Sequence, residues 1–360
     1  MQMTFRWFGK DLDTVSLEQI KQIPGVVGVV PALHYLPAGE AWEMEDVQKM
    51  YDEITAAGLT MECIESVNVH EDIKLGLPTR DKLIENYKKS IRNLAKVGVK
   101  VICYNFMPVF DWTRTDLYMP LPDGSTCLSY DGKQVEGKSP EDMFKEIDDN
   151  SNGYAMPGWE TERMGEIKEL FAKYKGVTAD DLWANLKYFL EAIMPTCEEC
   201  DVKMAIHPDD PAWSVFGLPR IIINKKNILR MMSMVDNPHN GVTFCSGSYG
   251  TNLENDLPDM IRSLKGRIHF AHVRNLKFNS PTDFEEAAHL SSDGTFDMYE
   301  IMRALYEIGF DGPIRPDHGR MIWGEVAMPG YGLYDRALGA TYLNGLWEAI
   351  EKGAARYEAK

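Results

Sequence analysis

Short apolar runs rich in β-branched residues alternate along the chain with longer amphipathic stretches, and a polar or Gly/Pro break separates them. The apolar runs are continuous, which is typical of parallel strands that are covered on both faces. They predict strands at Thr4–Phe8, Val26–Val30, Thr60–Glu65, Lys100–Phe106, Lys203–His207, Val242–Cys245, Arg267–Val273 and Pro313–Arg315. The amphipathic stretches predict helices that include Glu43–Ala57, Arg80–Val97, Ala179–Cys200, Lys225–Val235 and Phe296–Ile308.

Eight strand–helix units predict one α/β domain over residues 1–360, a closed (β/α)8 TIM barrel. A doubly wound sheet is disfavoured because no G-x-G-x-x-G follows the first strand. Residues 107–181 depart from this alternation of strands and helices. We interpret them as an insertion after the fourth strand that lies over the barrel mouth like a lid. Within the insertion we expect helical pieces around Pro140–Ile147 and Glu160–Tyr174. The alternative is that these residues form a long surface loop or a contact between the subunits of an oligomer.

Charge and composition restrict the possible partners. Lys and Arg total 38 against 55 Asp and Glu, and the net charge of −17 disfavours a protein that neutralises nucleic-acid phosphates. The apolar runs are far shorter than the roughly 20 residues that span a bilayer, and the N-terminus lacks the pattern of a secretory signal. Six scattered cysteines do not form a disulfide scaffold. We therefore expect a soluble, cytoplasmic protein that binds neither nucleic acid nor membrane.

Residues that bind divalent metals close four successive strands of the predicted barrel. They are His207, Cys245, His272 and Asp317. Each alone has an ordinary structural explanation, such as a hydrogen-bonded histidine, a small buried thiol or a helix cap. Because catalytic groups of this fold lie at the C-terminal ends of the strands, four such residues at equivalent places predict one metal site.

Further polar residues occur at the same strand ends. We predict that the substrate is bound by Arg6, His34, Asn105, Arg274 and Asn275. Arginines beside a metal fit an anionic substrate, because a guanidinium holds a carboxylate through two parallel hydrogen bonds. In the loop before the last helix, Tyr331 lies between two glycines and is expected to reach into the site.

Seven segments resemble the mannonate dehydratase family over almost the whole chain. They are MTFRWFG, VVPALHYLPAGEAW, VICYNFMPVFDWTRTDL, FCSGSYG, RIHFAHVRN, IRPDHGRMIWGE and PGYGLYDRALGATYLNGLWEA. The resemblance implies a xylose-isomerase-like barrel that converts D-mannonate to 2-keto-3-deoxy-D-gluconate and water in hexuronate (glucuronate) breakdown. It also implies Mn²⁺ or Fe²⁺ at the four metal positions above, and catalytic roles for His318 and Tyr331.

The ligand chemistry and the resemblance differ over the metal. A soft thiolate, together with the Irving–Williams order, favours Zn²⁺ or Fe²⁺ over Mn²⁺. Availability in the cell and open coordination positions can override raw affinity. We therefore expect Mn²⁺, with Fe²⁺ as the alternative.

Dehydration requires a base for the proton on C2 and an acid for the hydroxyl that leaves C3. We assign Tyr331 as the base, acting as a phenolate, and His318 as the acid, and the reverse assignment stays open. A metal-dependent isomerase or epimerase on the same barrel is an alternative, although such sites are typically richer in Glu and Asp. A catalytically silent sugar-acid-binding protein is another, and the net charge disfavours a metallo-endonuclease. A homo-oligomer, a dimer or larger, is expected for an enzyme of this size.

Overall fold

The computed structural model describes residues 1–136, 138, 139, 142, 145, 149 and 167–358. In chain order its strands are β1 (Gln2–Arg6), β2 (Gly28–Val30), β3 (Cys63–Glu65), β4 (Val101–Tyr104), β5 (Asp116–Pro120), β6 (Thr126–Asp131), β7 (Lys203–Ile206), β8 (Asn240–Cys245), β9 (Ile268–His272), β10 (Asn275–Ser280), β11 (Asp283–Ala287) and β12 (Pro313–Arg315). Its helices are α1 (Leu17–Lys21), α2 (Met44–Ala56), α3 (Glu71–Lys74), α4 (Arg80–Lys96), α5 (Gly132–Val135), α6 (Ile167–Tyr174), α7 (Ala179–Cys200), α8 (Lys225–Met234), α9 (Ser246–Gly250), α10 (Leu257–Ser263), α11 (Met298–Glu307) and α12 (Tyr334–Glu358).

The predicted barrel is confirmed. Eight parallel strands follow one another in the order β2-β1-β12-β9-β8-β7-β4-β3. The two end strands meet at a parallel bridge between Gly28 and Thr60, where the Val29 N–H donates to the Thr60 carbonyl at 3.0 Å. This contact closes the sheet into a barrel, so the C-terminal ends of all eight strands surround one mouth.

The long helices form where the amphipathic pattern predicts them, and α7 shows why. Thr178 accepts a hydrogen bond from the Asp181 N–H, and the Asp181 carboxylate accepts from the Thr178 N–H, which is a capping box at the helix start. From there Leu182, Leu186 and Phe189 are buried at helical spacing. This apolar face packs α7 against the barrel and against α4.

A second, antiparallel sheet stands outside the barrel and is absent from the sequence prediction. Its order is β10-β11-β6-β5, so the insertion contributes one pair of strands and the segment after β9 contributes the other. Thr126 of β6 pairs with Met321 in the loop after β12, which places the sheet beside the barrel mouth. The predicted helix at Pro140–Ile147 lies mostly outside the described residues, and α6 occupies the end of the predicted Glu160–Tyr174 piece. The lid-like role of residues 107–181 stays a prediction.

No helix in the described part of the chain has both the length and the apolar character needed to cross a membrane.

Candidate active site

The barrel brings the four predicted metal-binding residues together. His207 directly follows β7, Cys245 and His272 end β8 and β9, and Asp317 is the second residue after the end of β12. One donor atom each of His207, Cys245 and His272 lies within 4.8 Å of the other two. Asp317 borders this group, with Oδ2 3.4 Å from Cys245 Sγ and Oδ1 3.6 Å from His272 Nδ1.

The arrangement fits a divalent ion. Ligands at about 2.0–2.3 Å from one ion stand at most about twice that distance from one another, which matches the spacing of these donors. His272 Nε2 is buried and makes no hydrogen bond of good geometry within the described structure, although Glu65 Oε2 lies 3.3 Å from it. Cys245 Sγ faces the Ser248 N–H at 3.3 Å and the Ser248 hydroxyl at 3.0 Å, and both can donate to a thiolate. Two imidazoles, a thiolate and a carboxylate thus form one mixed N/S/O donor set.

Asp317 owes its position to an uncommon backbone conformation. Its φ of 62° lies in the left-handed region, which aspartate tolerates better than most residues. Burial raises the pKa of the Asp317 carboxyl, but Arg315 and Arg274 outweigh it and hold this pKa well below its usual range. The side chain is therefore a carboxylate near neutral pH.

A cavity opens at this end of the barrel, and seven of the predicted site residues line it. They are Arg6, Asn105, His207, Arg274, Asp317, His318 and Tyr331. His34 stands behind this wall, with Nε2 3.2 Å from Arg6 NH2.

The structure does not bring Asn275 into the cavity. Its amide nitrogen donates to the carbonyls of Leu290 and Phe296, and its amide oxygen accepts from the N–H groups of Leu276 and Phe296. All these bonds go to the backbone, so Asn275 fixes the start of β10. The prediction of substrate binding by Asn275 is corrected accordingly.

His318 connects Tyr331 to a carboxylate. Its Nε2 lies 2.9 Å from the Tyr331 hydroxyl, and its Nδ1 lies 2.9 Å from Glu286 Oε1. Burial raises the pKa of Glu286, but His318, Arg274 and Arg114 lower it to about 2, so this carboxylate only accepts hydrogen bonds at neutral pH. The proton of neutral His318 therefore belongs on Nδ1, and Nε2 accepts from the Tyr331 hydroxyl.

Arg274 also approaches His318, with NH1 2.9 Å from Nδ1. A guanidinium only donates hydrogen bonds, so this contact by itself disfavours a proton on Nδ1. The two Glu286 oxygens, at 2.9 and 3.0 Å from Nδ1, favour the proton there, and NH1 has a carboxylate acceptor of its own. The same NH1 donates to Asp317 Oδ2 at 2.8 Å, and NH2 donates to Asp210 Oδ2 at 2.7 Å. Arg274 thus links the Asp317 carboxylate to Asp210.

The loop that carries Tyr331 is held by a buried arginine. Arg336 donates from Nε to the Gly332 carbonyl at 2.7 Å, from NH2 to the Tyr331 carbonyl, and from NH1 to the Arg6 carbonyl at 3.2 Å. Gly330 adopts a φ of 79°, and a Cβ there would stand 2.7 Å from Leu128 Cδ1. Glycine is therefore required before Tyr331 for the loop to turn into the site.

Burial raises the pKa of Tyr331, although Arg315 and Arg6 act in the opposite direction. The phenol is therefore protonated in the resting site.

Three residues that build the site are missing from the sequence prediction. Arg114 is fully buried, donates to Asp210 Oδ1 at 2.7 Å and forms an ion pair of 2.8 Å with Glu286. Asp210 stands three residues after His207, and that proximity is a usable signal. Glu286 comes from β11, outside the barrel, and its position has no signal in the sequence.

Comparison with known proteins agrees with this geometry. The family model described as D-mannonate dehydratase (UxuA) matches residues 1–357. A mannonate dehydratase of Brachyspira hyodysenteriae is 63% identical, covering 98% of this chain and 99% of that protein. One from Thermotoga maritima is 61% identical, with coverage of 99% and 100%. The crystal structure of mannonate dehydratase from Streptococcus suis serotype 2 is 46% identical, superposes with a TM-score of 0.89, and covers 99% of this chain and 95% of that one. The chain therefore belongs to the D-mannonate dehydratase family.

Proposed function

We propose that this protein is a hydro-lyase that converts D-mannonate to 2-keto-3-deoxy-D-gluconate and water in hexuronate breakdown. Family membership over the full chain supports the reaction. The observation that carries its chemistry is the hydrogen bond of 2.9 Å between His318 and Tyr331, on the wall of the cavity that His207 and Asp317 also line. Dehydration needs such a pair of proton-transfer groups beside a site for negative charge.

The metal would be held by His207, Cys245, His272 and Asp317, and we propose Mn²⁺, with Fe²⁺ as the alternative. A divalent ion supplies a Lewis acid that binds substrate oxygens and stabilises negative charge beside the carboxylate. Substrate contacts are proposed for Arg6, Asn105 and Arg274, which line the cavity. His34 supports Arg6 from behind.

The proton steps use the contacts of His318. Before reaction the Tyr331 proton moves to His318 Nε2, and Glu286 stabilises the resulting imidazolium through Nδ1. The Tyr331 phenolate then takes the proton from C2, and the electrons of the C2–H bond form a C2–C3 double bond as the C3–O bond breaks. His318 gives its Nε2 proton to the departing hydroxide, which leaves as water. Both residues return to their starting forms, and the enol product rearranges to the 2-keto acid.

This scheme explains how a buried tyrosine can act as a base. Burial raises the pKa of Tyr331, so a free phenolate is costly. Internal transfer to His318 creates the phenolate together with a cation, with Glu286 beside that cation. Arg315 and Arg6 favour the phenolate electrostatically. We therefore favour Tyr331 as the base and His318 as the acid.

The location of the protein in the cell and its oligomeric state are also proposals. We propose a cytoplasmic homo-oligomer, a dimer or larger, that acts on a small-molecule substrate. A metal-dependent isomerase or epimerase, and a sugar-acid-binding protein without turnover, are the competing functions.

The test is turnover of D-mannonate by protein that has been stripped of metal and resupplied separately with Mn²⁺, Fe²⁺ or Zn²⁺. We expect Mn²⁺ or Fe²⁺ to restore formation of the 2-keto acid. If folded protein forms no keto acid with any of the three ions, the proposal is wrong. An isomerised sugar acid as product would favour the isomerase, and binding without any product would favour the silent protein.

A further inference from the structure

Three arginines line the active-site cavity, and two of them are paired with carboxylates. Arg274 is bound to Asp210 and Asp317. Arg315 is paired with Glu65 at 3.0 Å and with Asp317 at 2.8 Å.

Arg6 differs from both. Its NH1 donates to the Val30 carbonyl at 2.7 Å, and its NH2 lies 3.2 Å from His34 Nε2. In the described part of the chain, no carboxylate oxygen lies within 4.0 Å of the Arg6 guanidinium. A buried side chain on the cavity wall thus carries a charge that no carboxylate of the described residues contacts directly.

Glu65 acts electrostatically on Arg6 but is already paired with another arginine. Glu65 is held by two hydrogen bonds of 3.0 Å from Arg315. Burial and Arg6 hold the pKa of His34 well below its usual value, so this imidazole is neutral at pH 7. Burial also lowers the pKa of Arg6, while Glu65 partly opposes this effect. Because a buried charge is stable only when paired, the surroundings of Arg6 are completed by an anion in the cavity.

We propose that Arg6 binds the C1 carboxylate of the substrate, an inference that rests on the proposed function. The charges of Arg274 and Arg315 are already balanced by protein carboxylates, so Arg6 is the cavity arginine whose charge is left for the ligand. The planar fork of a guanidinium matches a carboxylate in geometry as well as in charge.

The position of Arg6 also orients the substrate. The Phe8 ring lies 4.4 Å from the Arg6 guanidinium carbon and packs edge-on against the Tyr331 ring at 4.8 Å. Arg6 and Tyr331 both line the cavity, so a carboxylate bound at Arg6 shares that small space with the Tyr331 hydroxyl. Since C2 is bonded directly to the carboxylate carbon, Tyr331 faces the C2 proton. His318, hydrogen-bonded to Tyr331, then faces the hydroxyl at C3.

The test compares binding of D-mannonate and its neutral amide, D-mannonamide, by calorimetry on the metal-loaded protein. A Tyr331→Phe background prevents turnover during the titration. In that background Arg6→Met should weaken D-mannonate binding by about 100-fold, since it removes a buried charge partner. Binding of the amide should weaken by less than about threefold, because the amide has no charge for Arg6 to pair with. Arg6→Lys keeps the positive charge but lacks the planar guanidinium, so its affinity for D-mannonate should lie between those of the parent and Arg6→Met.

Metal content and melting temperature are measured for every variant, so that loss of the ion or of the fold is recognised. If Arg6→Met does not fold, two measurements replace it. They are the affinities of Arg6→Lys and the preference of the Tyr331→Phe parent for the acid over the amide. The proposal is overturned if the parent binds the amide as tightly as the acid. It is equally overturned if Arg6→Met weakens the binding of acid and amide by the same factor, or leaves binding of the acid unchanged. The same two outcomes apply to Arg6→Lys if Arg6→Met does not fold.

Assay of keto-acid formation with Tyr331 intact separates this inference from the proposed reaction. Absence of keto acid, combined with a charge preference that depends on Arg6, would reject the reaction and retain the carboxylate contact. If keto acid forms but the preference for acid over amide persists without Arg6, the proposed reaction is retained. The contact between Arg6 and the carboxylate is then rejected.

Discussion

Tyr331 and His318 are joined by a hydrogen bond of 2.9 Å between the phenol and Nε2. The two residues stand thirteen positions apart, near the two ends of the loop between β12 and α12. The edge-on packing of their rings, with centroids 4.9 Å apart, fixes the orientation of that bond. A proton can therefore pass between two groups that both line the cavity.

Tyr331→Phe tests this pair directly. The variant keeps the ring that packs on Phe8 and removes the hydroxyl that exchanges a proton with His318. We expect turnover of D-mannonate to fall by about 10³-fold or more, with metal content unchanged. The matched control is Tyr334→Phe, whose phenol lies on the surface. Retained activity in Tyr331→Phe would remove this residue from the mechanism.

Glu286→Gln tests the carboxylate behind His318. The amide oxygen can still accept from Nδ1, so the tautomer is kept, but the charge that stabilises the imidazolium is lost. We expect kcat to fall by about 10²-fold while KM and metal content stay close to those of the parent.

The control for Glu286 is its neighbour in β11. Glu285 forms an ion pair of 3.1 Å with Lys277, whose side chain is exposed, so Glu285→Gln should leave kcat unchanged. If Glu286→Gln raises KM or loses metal to the same extent as it lowers kcat, Glu286 has only a structural role. Equal kcat values for the two variants would also contradict the prediction.

The barrel, and the gathering of the four candidate metal ligands at its mouth, could be predicted from the sequence because the relevant signals are local. Each strand is a continuous apolar run, and the residue type at its end is read directly from the chain, as for His207 and Cys245. The parallel barrel then brings these strand ends together without any further information. The helix α7 was likewise predicted with its observed bounds because it carries its own cap.

The second sheet could not be predicted because its pairing is not local. Strand β11 pairs with β6, which precedes it by more than 150 positions, and its sequence DFEEA lacks a period-2 apolar pattern. Nothing in that sequence distinguishes Glu286, which reaches His318, from Glu285, which pairs at the surface. Asn275 was misassigned for a related reason, since position near a strand end does not reveal that its amide is used by the backbone.

His207→Ala tests the metal site. The variant removes one of the three donors that lie within 4.8 Å of one another, and we expect it to lose bound metal and, with it, turnover. Metal content after dialysis, measured by plasma emission spectroscopy, is the readout. His239→Ala is the control, because that ring lies at the turn before β8 and contacts Asp201 at 3.6 Å. Full metal occupancy in His207→Ala would refute its role as a ligand.

Closure of the barrel depends on the absence of a side chain at Gly28. A Cβ at this position would stand 2.2 Å from Thr60 Oγ1 and 2.8 Å from the Thr60 carbonyl oxygen. Because the second of these atoms belongs to the backbone, rotation of a side chain cannot relieve the clash. Gly28→Ala must separate β2 from β3, and we expect it to lower the free energy of unfolding by about 1–3 kcal/mol.

The matched substitution is Gly345→Ala in α12, where no heavy atom outside the helix backbone lies within 4 Å of the new Cβ in the described structure. Alanine there reduces the entropy of the unfolded chain, so this variant should gain about 0.5–1 kcal/mol. Urea unfolding followed by circular dichroism measures both changes. Equal stability of Gly28→Ala and the parent would show that the contact between Gly28 and Thr60 does not limit closure, because the two strands would then separate without loss of stability.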